Sequence, residues 1–509
     1  MTEHYLDKLA RTINENRNQP ALTDFYLTED GSAQDTSRGN HYTYGEMYAE
    51  ILRLGELFKE LGLHKGDHIA ICGANSAHWV IAYLAIAAYQ GVVVTILHSQ
   101  SPEDIVHQID FSDAKALFTD SDLWEELKSQ SLSQVEYVIS LDQWQILHGE
   151  EIQISNLQFS ISNREARFAH GEPDSLAMIC FTSGSTGVSK GVMLSYDNVD
   201  GNVNNALETY PENTKVNAMA MFPFSHMLGV VCEVLAQLIK GNVIYIVCAP
   251  LSFKNIANSL SSVKPYAFCG VPIVIQTLFQ KYYVELNDYM RLTCKLAIIG
   301  GSHMPQEMEK RIIDAKWPLA IGYGQTETGG CISLSNSLLH RLGSCGKVTR
   351  ELTAKIIDNE LCVKGSKVML GYYKDPEATA RKIDKDGWLH TGDKGHLDED
   401  GYLYVEGRLE QDMIVLPNGE NIHPEDIERK INALPEVKES IVLARDGKLV
   451  AIVFPKDLIV LTDPKAFRRT ILRTINPELP LYSQLYDVEI TDTPLQKTEK
   501  QTIKRYLYK

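Results

Sequence analysis

FTSGSTGVSKGVML, residues Phe181–Leu194, carries the hydroxyls of Thr182, Ser183, Ser185, Thr186 and Ser189, the glycines Gly184, Gly187 and Gly191, and a single cation, Lys190. Glycine lets the backbone bring its N–H groups close to an anion, hydroxyls add donors, and lysine supplies a point charge. The composition is that of a polyphosphate cradle. Ser/Gly-rich loops are often plain connectors, but the added cation and the hydroxyl density favour the nucleotide reading here. The stretch is not a Walker A loop, which needs four residues between its glycines and then Gly-Lys-Ser/Thr opening a helix. Here Gly187 follows Gly184 after two residues, and Lys190 precedes Gly191. The flanking apolar runs Leu176–Phe181 and Gly191–Leu194 read as short buried strands, so the loop is expected to be a hairpin turn.

A chain of 509 residues exceeds what one hydrophobic core usually supports, so two or more structural units are expected. With 44% apolar residues there is ample core, and a net charge of −17 argues against a nucleic-acid surface or an electrostatic dock on anionic lipid. The cysteines (Cys72, Cys180, Cys232, Cys248, Cys269, Cys294, Cys331, Cys345, Cys362) are scattered and never form a CxxC pair. They read as buried thiols of a reducing compartment, with neither a zinc site nor a disulfide framework. MTEHYLDKLARTINENRN is charged and lacks the apolar core of a signal peptide, and the expected location is cytoplasmic. Trp79–Leu97 is apolar enough to suggest a membrane span, but Gln90 and Gly91 divide it into a short helix, Val80–Tyr89, and a buried strand, Val92–Leu97.

The first regular element expected is a helix capped by Thr43 and Glu46, with Met47, Ile51, Leu54, Phe58 and Leu61 at helical spacing and Gly62 at its end. Buried strands follow at His68–Cys72, Ala116–Thr119, Glu136–Leu141, Val243–Val247, Tyr266–Gly270 and Leu296–Ile299, separated by helices such as Asn198–Thr209 and Val230–Lys240. Strands alternating with helices predict an α/β fold of mainly parallel sheets. From about Gly346 short strands (Lys355–Ile357, Leu361–Lys364, Tyr402–Glu406) and the turns Asp386-Gly387 and Asp400-Gly401 predict a small antiparallel, barrel-like part. After Arg408 a small α/β unit is expected, with a helix Pro424–Ala433, strands Glu439–Ala444 and Lys448–Phe454, and a basic helix around Pro464–Asn476.

Further motifs stand in order along the chain: FPFSHMLG at Phe222–Gly229, GYGQTETGG at Gly322–Gly330, Thr391-Gly392-Asp393, and GRLEQDMIVLPNGENIHPEDIE at Gly407–Glu428. Together with the first loop they resemble the adenylate-forming superfamily of acyl-CoA synthetases, adenylation domains and luciferases, almost from end to end. The resemblance implies an N-terminal domain, 1–407, holding the ATP and acyl sites, and a mobile C-terminal domain, 408–509, on a hinge near 408–412. It implies a reaction in which a carboxylate attacks the α-phosphate of ATP, giving acyl-AMP and pyrophosphate, before a thiol, CoA, displaces AMP. Both reactants are anionic, so the site has to neutralise charge. By resemblance the Thr182–Gly187 loop and Lys190 grip the phosphates, Glu327 holds Mg2+, Thr326 contacts phosphate, and Tyr323 lies against adenine within Tyr323-Gly324-Gln325-Thr326. Gly300, Gly301 and Ser302 pack beside the base, Asp393 and Arg408 bond the ribose, His226 marks the mouth of the acyl pocket, and Gly419, Glu420 and Asn421 lie on the CoA side.

Two departures stand out. The family ends Thr-x-x-Gly-Lys-Ile-x-Arg, whereas here KTEKQTIKR, Lys497–Arg505, places Thr502 at the lysine position, leaving Lys500, with Lys504 as alternative, for the catalytic role. Between Arg408 and Met413 the chain is one residue longer than the family spacing, so the pivot falls at Glu410, Gln411 or Asp412. FPFSHMLG lacks the aspartate with which amino-acid-activating members hold an α-amino group, and the Gly407–Glu428 segment with the ending IKRYLYK most resembles long-chain fatty acid–CoA ligases. The expected function is a fatty acid–CoA ligase. A ligase for a medium-chain or aryl acid or a carrier-protein thiol, and a nucleotide-binding regulator that has lost catalysis, are the alternatives. Small molecules are the expected partners, with no nucleic acid and no transmembrane segment; passing contact with a membrane surface and the oligomeric state stay open.

Overall fold

The computed structural model describes residues 3–508 apart from 29–34, 36–37, 131, 151, 158–164, 183–188, 211–214, 249–250, 303, 336–339, 409–413, 417–419, 423, 458–462, 497–502 and 504–506. The chain divides into two compact units. The first holds Met1–Phe181, Gly191–Thr391 and Gly395–Val405; the second collects Thr182–Lys190, Gly392–Lys394 and Glu406–Lys509.

An eight-stranded sheet runs through the first unit in the order Gly371–Tyr372, Lys190–Ser195, Leu176–Thr182, Val92–Thr95, His68–Cys72, Ala114–Thr119, Tyr137–Ser140, Ile146–His148. From Leu176–Thr182 to Tyr137–Ser140 its strands are parallel, and the edge pairs are antiparallel. Helices cover both faces of such a sheet, which is why these strands are unbroken apolar runs. A second sheet pairs Ala267–Gly270, Leu296–Ile299 and Leu319–Tyr323 in parallel, then turns antiparallel through Ser333–Leu334 and Lys347–Val348. A third aligns Asn217–Ala220, Val243–Val247 and Pro20–Phe25 in parallel. The small antiparallel sheet takes the order Leu352–Ile357, Glu360–Gly365, Leu389–Leu397, Leu403–Arg408.

Thr43 and Glu46 close a reciprocal capping box at the helix Tyr44–Glu60, and Gly62 stands beyond its end at φ +68°. The apolar stretch after Trp79 is a buried helix, Ala77–Ala88, and a strand, Val92–Thr95. Gln90 takes φ +64° between them, and the Gly91 N–H donates back to Ile86 O at 3.0 Å, a Schellman closure. Among the described residues no helix is long and apolar enough to cross a membrane.

The sequence reading needs correction in three places. The chain's first element is not the Thr43-capped helix but a helix Tyr5–Asn16, which buries Tyr5, Leu6, Leu9 and Ile13. The Val230–Lys240 helix is a π-helical turn, Gly229–Leu235, followed by a short α-helix, Ala236–Ile239. The strand Leu389–Leu397, which contains the Thr391-Gly-Asp motif, was not expected.

In the second unit Val437–Arg445 and Lys448–Pro455 form a hairpin through Asp446 (φ 51°) and Gly447 (φ 73°), and Asp487–Ile490 adds a parallel strand. Ile427 and Ile431, from the helix Pro424–Asn432, share a core with Phe467 and Ile471, from Pro464–Ile475, and with strand residues Val442 and Ala451. Replacing Thr43 with alanine removes the hydroxyl that accepts from the Glu46 N–H, leaving the backbone half of the box, and is expected to cost about 1 kcal/mol, read as a lower urea midpoint.

Candidate active site

The GYGQTETGG motif is the connection of an antiparallel pair, in which Gly322 faces Leu334 and Tyr323 faces Ser333. A short 3-10 turn, Thr326–Thr328, lies inside it, and the Gly330 N–H returns to Gln325 O at 3.0 Å. A Cβ on residue 324 would lie 1.5 Å from the Gly330 carbonyl oxygen, so only glycine fits there. Gly329 and Gly330 take φ +62° and +123°, values that side-chain-bearing residues rarely adopt.

Two side chains distant in sequence hold this loop. Asn202, buried in the helix Tyr196–Thr209, donates to Thr328 O at 3.0 Å and accepts from the Cys331 N–H at 3.2 Å. Tyr372 donates its hydroxyl to Glu327 Oε1 at 2.7 Å, and the Met369 N–H donates to Glu327 O at 2.9 Å. The Gln325 amide reaches Thr391 O at 2.9 Å.

Gly300 adjoins the same region, since a Cβ there would come 3.1 Å from Gly322 O, and Gly301 takes φ +85°. The Phe222–Gly229 segment comes in from another side: Met227 Cβ would stand 3.3 Å from a Cβ on Gly330, and the Cys180 thiol approaches Met227 Sδ at 3.7 Å. His226 is exposed to solvent, and desolvation by the protein around it lowers its pKa below the usual histidine value, favouring the neutral imidazole. Asn75 fixes the segment through Phe222 O (2.7 Å) and the Phe224 N–H (3.0 Å). Buried Glu233 accepts from the N–H groups of Met221 (3.0 Å) and Phe222 (2.8 Å), and burial raises its pKa well above the carboxylate range.

The structure thus brings Gly300, Tyr323–Glu327 and His226 into one region of the first unit. Asp393, Thr182 and Lys190 belong to the second unit, where Asp393 is buried. Arg408 ends the strand Leu403–Arg408, and Asn421 pairs with Val415. Glu420 accepts from the Leu416 N–H through its carbonyl, and burial raises its carboxyl pKa. Ser183–Gly187, Glu410, Gln411, Asp412, Gly419, Lys500, Thr502 and Lys504 lie outside the described residues.

Sequence reasoning missed Asn202, Tyr372 and Glu233. Two of them left a signal: Asn198 and Asn202 stand four apart on a helix face, and Glu233 is a lone carboxylate in an apolar run.

The profile of the AMP-binding enzyme family matches residues 9–373, and that of the AMP-binding enzyme C-terminal domain matches 411–508. A putative acyl-CoA synthetase, YngI, of Bacillus subtilis is 29% identical over 440 residues, covering 79% of each chain. The 4-coumarate–CoA ligase 3 of Oryza sativa is 24% identical, covering 90% of this chain and 85% of its own. The human long-chain-fatty-acid–CoA ligase ACSBG1 is 24% identical, covering 81% and 66%. Among solved structures, o-succinylbenzoate CoA synthetase from Bacillus subtilis superposes with a TM-score of 0.77 at 23% identity, covering 99% of this chain and 98% of its own.

Asn202→Ala leaves the Thr328 carbonyl and the Cys331 N–H without their buried partner, a loss of roughly 1–3 kcal/mol. The expected readout is a lower urea midpoint together with faster amide exchange at Cys331.

Proposed function

The chain belongs to the AMP-binding enzyme family, and from that footing we propose that the acid it activates is a long-chain fatty acid, passed through acyl-AMP to CoA. Acid–thiol ligation of the acyl-CoA synthetase type is the activity of the family branch it joins. The observation that carries the reading is the apposition of the Phe222–Gly229 segment and the Gly329-Gly330 pair through Met227. It sets an apolar wall, backed by Val230, Val231 and Val234, beside the loop that bears Glu327.

Glu233, on the helical turn behind that wall, accepts two backbone N–H groups through Oε2 and burial favours its neutral form, so it is a poor partner for the amine of an amino acid. ACSBG1 is a relative that acts on long chains. A second reading, an aryl acid, is favoured by 4-coumarate–CoA ligase among the relatives.

Under this proposal Thr182, Lys190 and the loop between them take the phosphates, Tyr323 and Gly300–Ser302 the base, and Asp393 and Arg408 the ribose. Glu327 offers the hard oxygen donor that Mg2+ prefers, with Tyr372 hydrogen-bonded to one of its oxygens, and Thr326 takes a phosphate contact. When bound, the ion neutralises charge on the triphosphate. We also place the domain boundary at 407/408, the pivot at Glu410 and the catalytic lysine at Lys500.

Pyrophosphate release with ATP and Mg2+ over fatty, aryl and amino acids tests the reading. Palmitate or oleate are expected to give strong release, completed by acyl-CoA and AMP when CoA is added. Preference for cinnamate-like acids moves the assignment to an aryl ligase, and ATP binding without release from any acid moves it to a regulator. The half-reactions then separate the C-terminal residues. Lys500→Ala is expected to slow acyl-AMP formation more than tenfold, while Glu410→Pro spares that step and suppresses thioester formation. Full acyl-AMP formation in both Lys500→Ala and Lys504→Ala refutes the lysine assignment.

A further inference from the structure

We propose that Glu360, Cys362 and His390 form a binding site for a borderline-soft divalent cation of the zinc class, on one face of the small antiparallel sheet. Glu360 and Cys362 are two apart on the strand Glu360–Gly365 and so project to the same side, and His390 comes from the neighbouring strand Leu389–Leu397. Their ligand atoms all lie within 4.8 Å of one another. The geometry converges on a single ring nitrogen: His390 Nδ1 is 2.7 Å from Glu360 Oε2 and 3.5 Å from Cys362 Sγ. Thiolate, imidazole and carboxylate are the donor types that zinc takes in proteins, and a water completes a four-coordinate site.

A supporting shell is present. Asp384 Oδ2 stands 3.7 Å from His390 Nε2, while its Oδ1 is fixed by the N–H groups of Asp386 and Trp388, each at 2.9 Å. A carboxylate on the far ring nitrogen is the usual device for aiming the near one at a metal. Glu360 and Asp384 supply negative charge against Lys355 and Lys382, whose fields also reach the thiol. Lys355 is drawn aside, its Nζ lying 3.8 Å from the centre of the Trp388 ring.

The proton balance is definite. Burial pushes the Cys362 thiol up to about 11, so at neutral pH it is protonated until a cation displaces that proton. With Nδ1 as ligand, the imidazole N–H has to be on Nε2, beside Asp384, and the proton released on binding is the one the Cys362 thiol gives up. The site also brackets a bond of functional interest. Leu361, between two of the ligands, accepts from Thr391 Oγ1 at 2.7 Å, and Thr391 directly follows His390 at the head of the Thr391-Gly-Asp motif. No linear signal announces the cluster, because Cys362 has no cysteine or histidine at ligand spacing.

Titration of the full-length protein with Co2+ tests the site. One equivalent is expected to give a thiolate-to-cobalt charge-transfer band that Zn2+ bleaches. Cys362→Ser abolishes the band, Cys248→Ser retains it, and Asp384→Asn weakens cobalt binding about tenfold. If Cys362→Ser does not fold, loss of the band in His390→Gln serves the same purpose. Absence of the band in the natural chain, or its persistence in Cys362→Ser, overturns the proposal and leaves Glu360 and His390 as an ordinary ion pair.

Discussion

The Gly330 carbonyl occupies the space that a side chain at residue 324 would need, and the rest of the candidate site follows from that contact. A backbone folded this tightly on itself has few conformations left. Its polar groups must be satisfied locally or by neighbours, since each buried group left unpaired costs roughly 1–3 kcal/mol. Asn202 satisfies two of them from a helix more than a hundred residues earlier, and Tyr372 and Met369 fix the side chain and backbone of Glu327. The loop is therefore set by the scaffold, and Thr326 and Glu327 are presented from a rigid base.

Much of the fold was legible because parallel strands covered on both faces have to be continuous apolar runs. Val243–Val247 and Leu296–Ile299 were placed to the residue for that reason. The helix Tyr5–Asn16 was hidden by its charged outer face, although Leu6, Leu9 and Ile13 keep a helical spacing. The Asp358-Asn359 turn was also passed over. Both residues take positive φ (49° and 67°), so the pair does what Asn-Gly does in a tight hairpin without a glycine to mark it. The π-helical turn at Gly229–Leu235 carries no periodicity signal, because its register differs from an α-helix by one bond per turn.

The site divides differently. Residues expected to face ligands sit in short contiguous motifs that can be read directly along the chain. Residues that hold the motifs in place are scattered: Asn202, Tyr372 and Glu233 each act on a segment reached only through the fold. Glu360, Cys362 and His390 are of the same kind, joined by strand pairing and not by spacing.

Glu233 shows what that scaffolding implies for recognition. A carboxyl in an apolar helix loses hydration, and its pKa rises, unless hydrogen bonds return the difference. Here one oxygen takes two backbone N–H groups at the entrance to the Phe222–Gly229 segment, where a Cβ on Gly229 would already stand 2.6 Å from Pro223 O. The segment is thus bent by steric contact and locked by a buried acid, with Asn75 gripping it from the other side. Glu233 Oε2 and the Asn75 amide are committed to backbone groups of the segment, while Glu233 Oε1 and Ser225 Oγ are buried without a hydrogen-bond partner among the described residues. Under the proposed function such a wall would offer a substrate apolar surface and shape, which suits an uncharged acyl chain better than a zwitterion.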